Sequence, residues 1–288
     1  MRYKIVTEND IKYIMSRKSF QHNMVRKVII VGGSFLYHAP PLLSSLAALR
    51  TGLRALYLAI PKPLVIPARS VLLDAVIIPL PDLKITKGVV NKILKLIERR
   101  KILVNAALIG PGLTGIKKEI GILAYKLVNM NINVVLYSGA LYPEVIKYLK
   151  GSGSVIITNG GSFFRIFKDK LSGELRDKIK VVSQNADEYG LTILQRDEAA
   201  DIVSDGTSTY VNYAGSAKFS INGIDDILGG LTVGILSRGI GASQAAVAAA
   251  YISSKCSENT FVKYGLHFTA SDLINEIPIV MKEYDRVT

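Results

Sequence analysis

The sequence predicts an α/β fold, a central mostly parallel sheet with helices on both faces. Three observations carry that expectation. Short, wholly apolar runs recur between segments of helical periodicity, the pattern of strands buried on both sides. Several of these runs end in glycine-rich turns, VGGS, IGPGL and TNGGS, ahead of the next helical segment. And 288 residues, 49% of them hydrophobic, suffice for a full core, in one large domain or two small ones.

The elements follow in order. KVIIVGG reads as a strand running into a turn. PPLLSSLAALRTG follows as a helix, with prolines at its start and glycine at its end. ALYLAIP is the next strand. In KGVVNKILKLIERRK, Val90, Ile93, Leu94 and Ile97 form an apolar stripe while Lys92, Lys95 and Arg99 take the other face, as in an amphipathic surface helix. AALIGPG, INVVLY and SVIITN are strands, each followed by a helical segment. From Leu191 the pattern changes. LTILQ, ADIVSDG and STYVNYAG are close-set strands of a meander, with SDG as a hairpin turn. Three helices close the chain: one from about Asp225, one through ASQAAVAAAYISSK and one from TASDLINEIP. In the last, Thr269 followed by Asp272 has the spacing of a capping box. No linker, repeat or low-complexity tract interrupts the pattern, so residues 1–288 read as one domain.

Composition narrows the function classes. The single cysteine, Cys256, excludes an internal disulfide and fits a reducing cytoplasm. MRYKIVTENDIKYIM has no apolar signal core. The apolar stretch 227–252 is broken by Arg238 and several glycines and falls short of a membrane span. A cytoplasmic protein without a membrane partner is expected. His22, His38 and His267 lie far apart, without metal-ligand spacing. The net charge of +13 is dispersed over solvated helix faces, and no stacking platform or nucleic-acid module accompanies it, so no specific nucleic acid is expected.

The candidate site lies in SINGIDDILGGL, which starts at Ser220. Gly223 precedes two carboxylates, Asp225 and Asp226, at the mouth of a helix. One aspartate would serve as a cap, matching the positive end of the helix dipole. A second needs another reason. In parallel sheets ligands bind at the carboxyl ends of strands, where the glycine-rich turns also fall and where backbone N–H groups can approach an anion. Neither a Walker A motif nor G-x-G-x-x-G is present, so a P-loop NTPase or a Rossmann dehydrogenase is not expected.

Four pieces in order, VGGSFLYHAPPLLSSLAALRTG, LIGPGL, NGIDDILGG and GLHFTASDLINEIP, resemble the ADP/ATP-dependent NAD(P)H-hydrate dehydratases of the ribokinase-like fold. The resemblance runs over nearly the whole chain from VTENDI onward. It implies phosphorylation of the hydrate hydroxyl by ADP or ATP with Mg2+, followed by loss of phosphate to restore NAD(P)H. It also implies a homo-oligomer. The family loop G-[ST]-G-D-V-L-x-G matches Gly223, Ile224, Asp225, Asp226, Ile227, Leu228, Gly229 and Gly230. The match gives Asp226 the role of catalytic base and gives Gly223, Ile224 and the backbone of Asp225 the anion hole. Gln195 takes the place of a nucleotide-side lysine. Gly33, Ser34, Tyr37, Pro40, Gly110 and Gly112 fall on the substrate side, with Gly160 where the family has histidine.

Several chemical positions depart from the pattern. Tyr137 and Gly139 replace two acids, Phe163 replaces a glutamate, and Asp225 stands where the family has glycine. A carboxylate about 4 Å from a phosphate repels it by about 4 kcal/mol at an effective dielectric near 20. Glutamine offers only a dipole where lysine offers a full charge. The resemblance therefore implies a dehydratase-like protein with weakened nucleotide binding and impaired activity. The alternative is a non-catalytic homologue that binds a ligand or serves in an assembly.

Overall fold

In the strand Lys27–Val31, Val28 and Ile30 enter one apolar cluster while Ile29 and Val31 enter another, and all four are fully buried. The same alternation puts Ala106 and Leu108 in the first cluster and Ala107 and Ile109 in the second. Side chains of a strand point to opposite faces in turn, so a wholly apolar strand needs a core on each side. The computed structural model, which describes residues 2–16, 26–81, 83–214 and 221–285, builds both.

The strands are β1 (Lys4–Ile5), β2 (Lys27–Val31), β3 (Ala55–Pro61), β4 (Ala75–Leu80), β5 (Ala106–Ile109), β6 (Asn133–Tyr137), β7 (Val155–Thr158), β8 (Thr192–Gln195), β9 (Asp201–Ser204) and β10 (Thr209–Asn212). They form one sheet in the order β1-β10-β9-β8-β7-β6-β5-β2-β3-β4. The strands from β4 to β8 along that order are parallel, β9 runs antiparallel to both its neighbours, β8 and β10, and β1 runs parallel to β10. The expected meander is present. Its hairpin uses four residues, Asp205 to Ser208, rather than a two-residue turn, because the Asp205 carboxylate accepts the backbone N–H groups of Thr207 and Ser208 and folds the loop around itself.

One face of the sheet carries α1 (Glu8–Ser16), α2 (Ala39–Leu49), α3 (Val65–Val71), α9 (Ile224–Leu236), α10 (Ala242–Tyr264) and α11 (Ala270–Met281). The other carries α4 (Lys87–Glu98), α5 (Lys117–Asn129), α6 (Pro143–Ile146), α7 (Gly160–Phe167) and α8 (Leu175–Tyr189). The capping box forms: Asp272 accepts from the N–H of Thr269 at 2.7 Å and from its hydroxyl at 2.8 Å. Among the described residues no helix is long and apolar enough to cross a membrane, and no group of His, Cys, Asp and Glu is arranged to hold a metal ion. His22 and Ser220 lie outside the described residues.

Two strands escape the sequence pattern. β1 has only two residues, both exposed, and joins the edge by pairing with β10. β4 is the opposite edge. Its run AVIIPL carries a proline that an edge strand tolerates, since its N–H side need not pair.

α9 is the element that places the site. Twelve of its thirteen residues are buried. Gly223 caps it with φ +95°, a left-handed conformation that glycine adopts at little cost and that swings the chain into the helix. Across from it, Ser44 of α2 donates from Oγ to the backbone carbonyl of Asp226 at 2.8 Å. Neither aspartate occupies the cap position, so neither serves as the N-cap, although both lie in the first turn at the positive end of the helix dipole.

Candidate active site

The chain passes from β2 outward to β3 and β4, then returns to lay β5 on the other side of β2. Such a reversal leaves a crevice at the carboxyl ends of the strands. The turns after β2 and β5 meet there, where the N–H of Gly33 donates to the carbonyl of Pro111 at 2.8 Å. A cavity of about 600 Å³ opens beside them, over the ends of β5 to β8 and the first turn of α9.

Of the residues singled out from sequence, Tyr37, Pro40, Gly112, Tyr137, Gly139, Asp225 and Asp226 line this cavity. Ser34 lies behind it, buried, with its hydroxyl accepting the N–H of Tyr37 at 3.4 Å. Gly33 and Gly110 shape the two turns beneath the wall: the N–H of Gly110 donates to Val31 at 3.1 Å. Gly160 opens α7 between two lining residues, Asn159 and Gly161, without lining the cavity itself. Gly223 and Ile224 form the start of α9, with Ile224 packed into the core. Gln195 is fully enclosed. It accepts from Thr158 Oγ1 at 2.7 Å and donates its amide to the carbonyl of Arg196 at 2.5 Å. It joins the ends of β7 and β8 and does not face the cavity.

Asp226 does face it, although only 8% exposed. Burial, and then the charge of Asp225 beside it, push its carboxyl up to about 7. The hydroxyl of Tyr137 donates to it and acts the other way. Tyr137 itself is held protonated, by burial first and by the charges of Asp226 and Asp225 next, so at neutral pH it is a donor. Tyr137 thus orients the Asp226 carboxyl on the cavity wall.

Arg196 was not singled out from sequence, and it answers the question posed by the second carboxylate. Its Nε lies 3.4 Å from Asp201 and 3.5 Å from Asp225. Asp201 is buried at the start of β9, which raises its carboxyl to about 6, while Arg196 and a hydrogen bond from Asn212 hold it lower than burial alone would. The one signal in the sequence was a cation immediately after an apolar strand, at its carboxyl end.

The arrangement is suited to one kind of chemistry. A carboxylate poised near neutrality, in a half-enclosed cavity, can take a proton from a hydroxyl. The first turn of a helix offers free N–H groups and about half a positive charge to an anion.

Comparison with known proteins identifies the family. A family model described as NAD(P)H-hydrate dehydratase matches residues 28–279. The ADP-dependent (S)-NAD(P)H-hydrate dehydratase of Nitrosopumilus maritimus is 36% identical over 96% of either chain, and that of Cenarchaeum symbiosum is 33% identical over the whole of both. Among solved structures, the ADP/ATP-dependent NAD(P)H-hydrate dehydratase from Bacillus subtilis, co-crystallized with ATP/Mg2+, superposes with a TM-score of 0.79. It is 18% identical and covers 99% of this chain and 100% of that one, a likeness of fold. A ribokinase-like superfamily protein from Enterococcus faecalis superposes at 0.71, with 14% identity over 99% of this chain and 97% of that one. A match from the second strand to the last helix, joined to relatives that align from end to end, makes this chain a member of the NAD(P)H-hydrate dehydratase family, built on the ribokinase-like fold.

Proposed function

We propose that the protein is a working ADP-dependent NAD(P)H-hydrate dehydratase, which phosphorylates the hydroxyl of hydrated NAD(P)H so that loss of phosphate returns NAD(P)H. The observation that carries the reading is Asp226: a carboxylate in the first turn of α9, turned into a cavity and raised to about 7. Ionised, it takes the proton of the hydroxyl that receives phosphate. Tyr137 holds the carboxylate in place through its hydroxyl.

The cavity fits a nucleotide. Its 600 Å³ is within the range of small-molecule sites. The N–H groups opening α9 and the guanidinium of Arg196 are the groups that would hold its phosphates. Bound ADP, with magnesium, supplies the phosphoryl group.

The sequence argues for impairment on two grounds, and the surroundings of both residues weaken them. Asp225 faces a guanidinium 3.5 Å away, so a phosphate that enters meets a positive charge beside the negative one. Gln195 is occupied between two strands, so its lack of charge does not bear on the cavity directly.

The test is recovery of NADH absorbance from its hydrate, with ADP or ATP and magnesium, by the wild type and by Asp226→Asn. Recovery that Asp226→Asn abolishes is the expected result. Nucleotide binding without recovery would favour the non-catalytic alternative, and neither binding nor recovery would refute the reading.

A further inference from the structure

Among the described residues, two cations line the cavity, Arg165 and Arg196. Arg165 is engaged away from the acid pair. Its Nε donates to the carbonyl of Leu141 at 3.1 Å, and its guanidinium lies 5.3 Å from the centre of the Tyr142 ring. Arg196 stands at the carboxyl end of β8, where its N–H donates to Thr158 at 2.7 Å.

The two partners of the Arg196 guanidinium differ. Asp201 is buried and meets it through both oxygens, Oδ1 to Nε and Oδ2 to Nη1, each at 3.4 Å. Asp225 is on the cavity wall, its side chain 30% exposed, and touches through one oxygen at 3.5 Å. Both contacts are longer than the about 2.8 Å of a strong charge-assisted bond, so burial and the number of oxygens engaged distinguish the two partners. The guanidinium has an enclosed two-oxygen anchor and a more exposed one-oxygen partner on the cavity side. An incoming polyphosphate needs positive charge, and the half charge at the start of α9 stands against the two carboxylates of that same turn.

We propose that Arg196 is the residue that binds the nucleotide phosphates, anchored by Asp201 and held ready by Asp225, which releases the guanidinium when phosphate arrives. The inference rests on the nucleotide-dependent reading above. Successive residues of an extended chain face opposite ways. A cation one position past Gln195 thus reaches the cavity from which Gln195 is turned away. Asp225 competes with phosphate for one guanidinium, and the competition sets the affinity for ADP.

The test is calorimetric titration of ADP and of adenosine, with magnesium, into the wild type, Arg196→Gln, Arg196→Lys and Asp225→Asn. Adenosine has no phosphate and serves as the internal reference. Arg196→Gln should weaken ADP by about tenfold or more and leave adenosine unchanged. Arg196→Lys, which keeps a cation on Asp201, should lie between. Asp225→Asn should tighten ADP several-fold with no effect on adenosine. Should Arg196→Gln fail to fold, the other two variants decide the matter.

Equal weakening of ADP and adenosine by Arg196→Gln would reduce Arg196 to a structural role and overturn the proposal. So would ADP binding that Asp225→Asn leaves unchanged or weakens, as expected if Asp225 helped to hold magnesium. A wild type that binds ADP tightly while Arg196→Gln binds it equally well refutes this inference alone. A wild type that binds no nucleotide takes the broader reading down with it.

Discussion

Asp226 and Asp201 are both carboxyls whose charged form the fold disfavours, and both for the same first reason, burial. For Asp226 this sets a pH profile. The base form is the ionised one, so kcat/KM should rise with pH and level off above an acidic limb near 7. Asp225→Asn removes a neighbouring negative charge and should move that limb to lower pH. Tyr137→Phe removes a donor to the carboxylate and should move it higher. A limb that ignores both variants would mean that another group titrates. Stability changes with the opposite sign. Between the ordinary carboxylate value and the raised one, the folded chain holds protons that the unfolded chain has lost. The stabilisation is complete below about pH 4 and disappears as pH rises through about 6 for Asp201 and about 7 for Asp226. Urea denaturation at about pH 5 and about pH 8 should therefore show a stability loss on the alkaline side that is smaller in Asp226→Asn.

At the scale of elements, α9 carries the base only because it can lie close to α2. A Cβ built on Gly230 would meet the carbonyl oxygen of Ser44 at 2.1 Å, a backbone atom that cannot step aside without moving its helix. The same helix holds Ser44, whose hydroxyl fixes the Asp226 carbonyl. Gly230→Ala should therefore lower stability by about 1–3 kcal/mol or more, the usual range for overpacking, and should lower turnover with it. Gly160→Ala is the comparison. A Cβ there meets open space at the start of α7, and thermal unfolding should be nearly unchanged. If both variants melt together, the tight contact between α2 and α9 is not what sets the position of the base.

At the scale of the whole molecule, the sheet spreads the chain into two cores, and α4 carries part of the positive charge on its outer face. Lys92 and Lys95 on α4 and Arg99 just after it are exposed, away from the cavity at the carboxyl ends of the strands. Binding to nucleic acid by such a surface should be independent of sequence and should fall steeply with salt, because it depends on counterion release alone. Filter binding of two unrelated duplexes across a salt series checks this. Sequence-selective binding that persists at high salt would contradict it.

The sequence by itself determined the alternation of strands and helices from β5 onward, the helices on both faces of the sheet and the placing of Asp226 at a helix start. These rest on local periodicity and on a contiguous motif, and each can be read within one stretch of chain. KVIIV announces a strand with a core on both faces, and GIDDILGG announces a glycine followed by acids at a helix start. The strand β1 was not legible, because two exposed residues carry no pattern and only pairing with β10 makes them a strand. What the second carboxylate does was decided by tertiary structure alone. Arg196 meets Asp225 across almost thirty residues, and meets Asp201 because β9 turns back antiparallel along β8. The same geometry turns Gln195 into the sheet and lets Arg196 reach the cavity. Charge compensation is a property of distance in space, and spacing along the chain does not contain it.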